Sequence, residues 1–204
     1  MGKDGGYDAG YLASSCFWGR TPGSLVTRLL GKLPRRGALR ALDLGCGEGK
    51  NAFALAEHGH RVDAVDCSLA AIRNGKSVFN HPLITWQIAD VTEYEPKNSP
   101  YDVLIAYGLM HCLPSVAVVR EVFFLMKSVS APNAFHVMCA FNDRHHDLSA
   151  HPGFSPLLLP HKFYVDLYKD WDVIFESDTD LHEVHPHNGI PHQHSMTRII
   201  AKLP

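Results

Sequence analysis

Charge of one sign is what this chain most lacks. Its 204 residues carry 19 Lys and Arg against 21 Asp and Glu, a formal net charge of −2. There is no basic footprint for nucleic acid or anionic lipid, so neither is expected as a partner. Long apolar runs are also missing. No segment approaches the ~18 residues of a membrane span. The opening MGKDGGYDAG has neither the apolar core of a secretory signal nor the serine of a myristoylation site. A cytoplasmic protein with no membrane partner is the expectation. Cysteine is sparse and irregular: Cys16, Cys46, Cys67, Cys112 and Cys139 are odd in number and form no C-x-x-C pair. Reduced thiols follow, rather than a disulfide framework or a cysteine-based zinc site. Internal repeats and low-complexity tracts are absent. With 46% hydrophobic and 20% charged residues, the chain has the makings of one domain with one substantial core.

What is present is concentrated near residue 42. The apolar strand Ala41-Leu42-Asp43-Leu44 runs into Gly45-Cys46-Gly47-Glu48-Gly49-Lys50-Asn51 and then into a helical pattern. Glycine at every second position permits a sharp turn and a close approach of a ligand to the backbone. The N–H groups at the start of the following helix favour a carboxylate or phosphate there. Two common ligands fit poorly. A dinucleotide fingerprint, G-x-G-x-x-G, requires a small residue where Lys50 stands, and a nucleotide-hydrolase loop requires Ser or Thr after the lysine, where this chain has Asn51.

The next strands end in carboxylates. Arg61-Val62-Asp63-Ala64-Val65 reads as a buried strand with Asp66 at its carboxyl end, 21 positions after Gly45, followed by Cys67. In open α/β sheets a carboxylate at that place accepts ribose hydroxyls. Its alternative is a helix N-cap, a duty Ser68 is equally able to take. Leu83 to Ile88 forms a third strand, ending at Ala89-Asp90-Val91. Taken alone, Asp90 is a turn or cap residue. Tyr101 to Ala106 is a fourth strand, followed by a loop through His111. Pro114 opens a helix with the apolar stripe Val118, Val122, Leu125 and Met126, and Pro132-Asn133 interrupts the chain before the apolar run Ala134 to Phe141. Strands alternating with helices at this spacing give a doubly wound sheet. Beyond residue 141 the texture changes: Asn142 to Pro160 is rich in His and Pro, His161 to Asp170 is a helix, and Trp171 to Ser177 and His194 to Leu203 are strands.

The acidic strand residue Asp43 followed by G-x-G-x-G resembles motif I of the class I S-adenosylmethionine (SAM)-dependent methyltransferases. The Ala41–Asn51 string, Phe17-Trp18, Tyr168-Lys169-Asp170-Trp171 and Leu181-His182-Glu183 further resemble the tellurite-resistance B and thiopurine methyltransferase-like group. The resemblance implies a Rossmann-like, seven-stranded, mostly parallel sheet with helices on both faces and an antiparallel C-terminal edge hairpin. It also implies a single domain over residues 1–204: an N-terminal lid over 1–36, a cofactor-binding half over 37–141 and a substrate-side half over 142–204. The cofactor implied is SAM, contacted by Asp43, Gly45, Gly47, Gly49, Asn51, Asp66, Cys67, Asp90, Val91 and Tyr107. In that setting Asp90 meets the adenine amino group, while Val91 and Leu69 pack on its faces.

The activity implied is methyl transfer to a small-molecule acceptor, a thiol, chalcogen oxyanion or small polar metabolite. The loop Ala106 to His111 faces the crevice. His111 is therefore the candidate base, with Tyr107 as wall or donor, against the plainer reading in which His111 only bonds a carbonyl and shapes the pocket. Tyr11 and Trp18 are candidate lid residues whose aromatic faces suit a sulfonium. Nine of the fourteen histidines follow residue 144. Of these His145, His146, His187 and His192 are candidate acceptor-binding residues, against a reading as solvated loop residues; Arg144 is another, against an equal reading in which it pairs with Asp143 or Asp147 on the surface. His185-x-His187 and His192-x-His194 also have a spacing that chelates zinc, nickel or copper, but without a H-E-x-x-H helix or cysteine ligands no metal is assigned. The competing reading of the whole chain is a non-catalytic SAM-binding or metal-sensing module. An NAD-dependent oxidoreductase is disfavoured by Lys50 and Asp43.

Overall fold

The computed structural model describes residues 6–34, 38–151, 153–184 and 189–204. Five parallel strands carry the cofactor-side architecture: β1 (Arg40–Leu44), β2 (Arg61–Asp66), β3 (Ile84–Ile88), β4 (Tyr101–Tyr107) and β5 (Ser130–His146). Two further strands, β6 (Asp172–Val184) and β7 (Pro191–Lys202), run antiparallel to complete one seven-stranded sheet in the order β3-β2-β1-β4-β5-β7-β6. Strand order reverses between β1 and β4, and the crevice beyond their carboxyl ends is where such sheets bind ligands.

Helices cover both faces, because the central strands are apolar on both sides. On one face α5 (Val116–Ser128) and α6 (His161–Leu167) bury Val119, Val122, Phe123, Met126 and Tyr164 against Leu42, Leu44 and Leu104. On the other, α2 (Ser24–Leu30), α3 (Lys50–Glu57) and α4 (Leu69–Val78) bury Leu25, Leu29, Leu55 and Ile72 against Val62, Val103 and Ile105. The short α1 (Asp8–Ala13) belongs to a third cluster in which Tyr11 and Phe17 meet Ala71 of α4.

Several boundaries differ from the sequence expectation for identifiable reasons. Ser115, not Pro114, starts α5: its Oγ accepts from the Val118 N–H at 3.3 Å. The buried stripe of α5 is centred on Val119 and Phe123, with Val118 and Leu125 only flanking it. Pro132-Asn133 does not break the chain, since β5 passes through it with Asn133 at φ 63° and a shift of register against β4. The strand placed at Ala134–Phe141 runs on through Asn142 to His146. The edge strand β6 runs 13 residues, well past Ser177; its exposed acidic positions suit an unpaired edge but dilute the apolar alternation that signals a strand. All five cysteines carry free thiols. Among the described residues no helix is long and apolar enough to cross a membrane.

Candidate functional site

The glycine loop between β1 and α3 is a steep turn. Gly45, Gly47 and Gly49 have φ of 66°, 55° and 84°, a region L side chains avoid. Space enforces the same choice. A Cβ on Gly49 would lie 2.2 Å from the Trp86 ring, one on Gly47 2.9 Å from the Tyr11 hydroxyl, and one on Gly45 3.0 Å from Leu109. The loop offers its ligand shape more than a row of open amides. Cys46 N–H donates to the Val65 carbonyl at 3.0 Å, Gly47 N–H to Asp66 Oδ2 at 2.7 Å and Gly49 N–H to the Cys46 carbonyl at 2.9 Å.

Asp66 and Ser68 divide the duties that the sequence left open between them. Ser68 Oγ accepts from Ala71 N–H at 3.0 Å and caps α4. Asp66 accepts from Gly47 N–H and, through Oδ1, from Ser68 N–H at 2.8 Å, while lining the cavity. A carboxylate has about four lone-pair sites, so two backbone bonds do not exhaust it. Asp90 is both a turn residue and a cavity residue: its Oδ1 accepts from Thr92 N–H at 3.0 Å and Thr92 Oγ1 at 2.7 Å. Asp43 sits behind the loop rather than in the cavity wall. It is 1% exposed, and among the described residues neither oxygen makes a hydrogen bond of standard geometry. Burial pushes its carboxyl up to about 8, with the Asp66 charge adding to the rise and the Ala52 N–H opposing it.

These elements enclose one cavity of about 790 Å³, within the ~300–1,000 Å³ of small-molecule sites. Gly45, Gly47, Gly49, Asn51, Asp66, Cys67, Asp90, Val91, Tyr107, His111, Tyr11 and Trp18 all line it. Leu69 does not: it is 45% exposed. The N-terminal segment closes over the loop through a latch that sequence reasoning missed. Glu48 Oε1 accepts from Cys16 N–H at 2.8 Å, Lys50 Nζ donates to the Trp18 carbonyl at 2.9 Å, and Asn51 Oδ1 accepts from Gly23 N–H at 2.8 Å. Lys50, unsuited to a dinucleotide loop, is thus explained by the lid it holds. Trp18 Nε1 donates to Tyr11 Oη at 3.1 Å, and Tyr7 packs edge-on against Trp18 with ring centroids 5.2 Å apart.

At the other end of the cavity stand Tyr107, Cys139, Phe141, Met196 and Arg198. Tyr107 supports Gly23, where a Cβ would come 2.4 Å from its ring, and burial pushes its phenol up to about 12. It remains a protonated donor. His111 lies in a 3₁₀ turn (Met110–Cys112), 2% exposed and stacked on Phe141 at 4.0 Å. Its Nδ1 accepts from the Phe141 N–H at 3.1 Å. A neutral imidazole so held carries its proton on Nε2, which is buried without a hydrogen-bond partner among the described residues. Burial, reinforced by His194, His146 and His151, lowers its pKa to about 3. His111 is therefore a donor, and the expectation of a general base is corrected: the lone pair a base needs is already bonded to backbone.

Among the described residues the remaining substrate candidates, Arg144, His145, His146 and His192, lie outside the cavity. Arg144 pairs with Asp178 at 3.1 Å and Asp180 at 2.7 Å on β6. Its sequence neighbours Asp143 and Asp147 are not its partners. His145 contributes its backbone N–H to Ser195 Oγ at 2.9 Å. His146 bonds the Asn142 carbonyl and His194, and His192 is buried beside His151 and Glu183. His187 and His185 lie outside the described residues. Arg198, Cys139, Glu48 and Glu183 line the cavity without having been assigned to the site from the sequence, although Glu48 and Glu183 stand within strings that carried the resemblance.

A family model described as a methyltransferase domain matches residues 41–133. TehB from Haemophilus influenzae has the same fold, with a TM-score of 0.74 at 17% identity over 99% of this chain and 67% of that one. The matched stretch, from β1 to the start of β5, is similar to a methyltransferase domain, and the sheet as a whole has the fold of TehB. Trans-aconitate 2-methyltransferase of Azoarcus sp. (strain BH72) is 33% identical over 91 residues, 44% of this chain and 35% of that protein. This chain thus matches only about a third of that relative's length. N-methyltransferase NodS from Bradyrhizobium japonicum WM9, solved with S-adenosyl-L-homocysteine, gives a TM-score of 0.63 at 16% identity over 89% of this chain and 85% of that one. The methyltransferase fold spans the whole sheet, including β6 and β7, whereas the sequence match ends before the apolar half of β5.

Proposed function

We propose that this chain transfers the methyl group of SAM to a small-molecule acceptor by in-line displacement. The observation that carries this reading is the single cavity in which the glycine loop, Asp66 and Asp90 at one end are continuous with Tyr107, Cys139 and Arg198 at the other. When bound, the cofactor supplies a sulfonium-activated methyl. The residues of the chain do the positioning. Gly45, Gly47 and Gly49 clear room along the turn, Asp66 receives ribose hydroxyls, Asp90 and Val91 hold the base, and Tyr11 and Trp18 close over the site. Asp43 sets the loop from behind, and Asn51, in the cavity wall, ties the N-terminal segment at Gly23. Cys67 completes the wall after Asp66.

Holding two reactants collinear in a water-poor site supplies several kcal/mol of barrier reduction without covalent catalysis. With His111 fixed as a donor and Tyr107 kept protonated, the site holds no side chain among those two to take a proton. That favours an acceptor already anionic or easily ionised, a thiolate or chalcogen oxyanion, with Arg198 and Lys50 as the cations in the cavity wall. The test is turnover of radiolabelled SAM with a panel of thiols, selenite and tellurite, and small carboxylates and amines. Methylation of a soft anionic acceptor, with turnover rising through the acceptor's own pKa, is expected. Stoichiometric SAM binding with no product from any member would favour the non-catalytic reading instead.

A further inference from the structure

Beside the cavity, the β6–β7 hairpin and the loop after β5 bring together three imidazoles and a carboxylate. Glu183 and His192 are directly opposed in the β6–β7 register, and His194 lies two residues on, opposite Leu181, on the same face. His151 arrives from the loop. Its Nε2 is 3.0 Å from His192 Nε2 and 3.3 Å from His194 Nε2; Glu183 Oε1 is 3.4 Å from His192 Nε2 and 3.8 Å from His194 Nε2. All four ligand atoms lie within 4.8 Å of one another.

We propose that His151, Glu183, His192 and His194 form a divalent transition-metal site, with zinc as its best-fitting ion. Four donors placed ~2.0–2.1 Å from a zinc at tetrahedral angles stand ~3.3–3.4 Å apart, and the four spacings above, 3.0–3.8 Å, bracket that value. The outer hydrogen bonds aim the lone pairs inward. His192 Nδ1 donates to the Ile190 carbonyl at 2.8 Å, which leaves Nε2 unprotonated in the neutral ring. His146 Nε2 donates to the Asn142 carbonyl, so its Nδ1 accepts from His194 Nδ1–H at 3.2 Å, and His194 too presents an unprotonated Nε2. Two imidazole lone pairs and a carboxylate thus converge with the third imidazole. One proton on His151 bridges a single pair, whereas a central cation meets all four. The His192 and His194 side chains are fully buried, and Phe141 stacks on His194 at 4.2 Å, which fixes the ring. Nitrogen and oxygen donors without thiolate suit zinc, cobalt and nickel ahead of softer ions. Glu183 is shared between this cluster and the cavity wall, so the metal would stand at the acceptor end.

The test uses the full-length, untagged protein, stripped with a chelator and titrated with Zn²⁺ and Co²⁺. One equivalent of zinc per chain is expected, with a raised Tm. Cobalt should give the intense visible absorption of a four-coordinate site. His151→Gln, at a half-buried position, and His192→Gln, both outside the cavity wall, should each weaken zinc at least tenfold while still binding S-adenosylhomocysteine, which serves as the check on folding. Absence of a stoichiometric zinc equivalent, unchanged affinity in both folded variants, or only the faint spectrum of six-coordinate cobalt would overturn the proposal. The cobalt spectrum of the unsubstituted protein decides the matter even if a variant unfolds. Cofactor binding is measured alongside, so failure of the metal site is distinct from failure of the methyltransferase reading.

Discussion

Asp43 shows how one residue can be legible in kind and hidden in consequence. Its place before Gly45 marks the motif, yet only the structure reveals a carboxyl buried behind the loop and raised to about 8. Its ordinary pKa is ~3.9, so the folded protein holds this proton more tightly than the unfolded chain. The resulting stability is complete below pH ~4 and is lost as pH rises through about 8. Asp43→Asn should therefore leave the ligand-free protein little changed near pH 4 and stabilise it at pH 9. The gain should be on the order of several kcal/mol, at ~1.4 kcal/mol for each tenfold difference in proton affinity between folded and unfolded chain. Denaturant titration at the two pH values checks this. Asp66 and Asp90 were readable because a strand's carboxyl end is where such sheets bind ligands. His111 stayed open between a base and a pocket-shaping residue because its fixing partner, the Phe141 N–H, is 30 residues distant in sequence. Arg144 was misread for the same reason, since its partners Asp178 and Asp180 stand on a strand formed much later in the chain.

At the scale of elements, the N-terminal segment is held to the glycine loop by Glu48, Lys50 and Asn51, each bonding backbone rather than side chain. Such bonds leave no trace in residue pairs, and so the lid was foreseen only from its aromatics. Lys50→Met keeps the length of the stem but removes the bond to the Trp18 carbonyl. Affinity for S-adenosylhomocysteine should fall about tenfold, the ~1.4 kcal/mol of one charged hydrogen bond in a partly open setting, with little change in Tm. Calorimetry on both proteins measures it. The central parallel strands and the helices between them were legible from unbroken apolar runs and from breaks at Gly and Pro. The lengths of β5 and β6 were not, because a polar edge and a strand passing through Pro132-Asn133 both look like loop.

For the molecule as a whole, the two cores on opposite faces of the sheet make unfolding sensitive to any charge forced into them. His136, wholly buried on β5, bonds Ser130 Oγ through Nε2 at 2.9 Å, and Ser130 in turn donates to the Met126 carbonyl at 2.8 Å. Nδ1 is then the site a second proton would take. It has no acceptor among the described residues, and burial lowers the pKa to about 3. The folded form thus resists a proton that the unfolded chain accepts below ~6.5. Stability present above that pH should fall between ~6.5 and 3, by up to ~1.4 kcal/mol per pH unit. His136→Gln should flatten that limb relative to the unsubstituted protein in urea titrations from pH 7 to pH 4, even if it is less stable overall.

Most directly at issue is whether the glycine-walled cavity receives an adenosyl sulfonium compound. Calorimetric and thermal-shift titration of the protein with SAM, S-adenosylhomocysteine and NAD, alongside Asp66→Asn, would settle it. One site for each of the two adenosyl compounds is predicted, with stabilisation of about 2.7 kcal/mol at a hundred times Kd, no response to NAD, and loss of the response in the variant. Binding of NAD in preference, or no binding of either sulfur compound, would contradict the account.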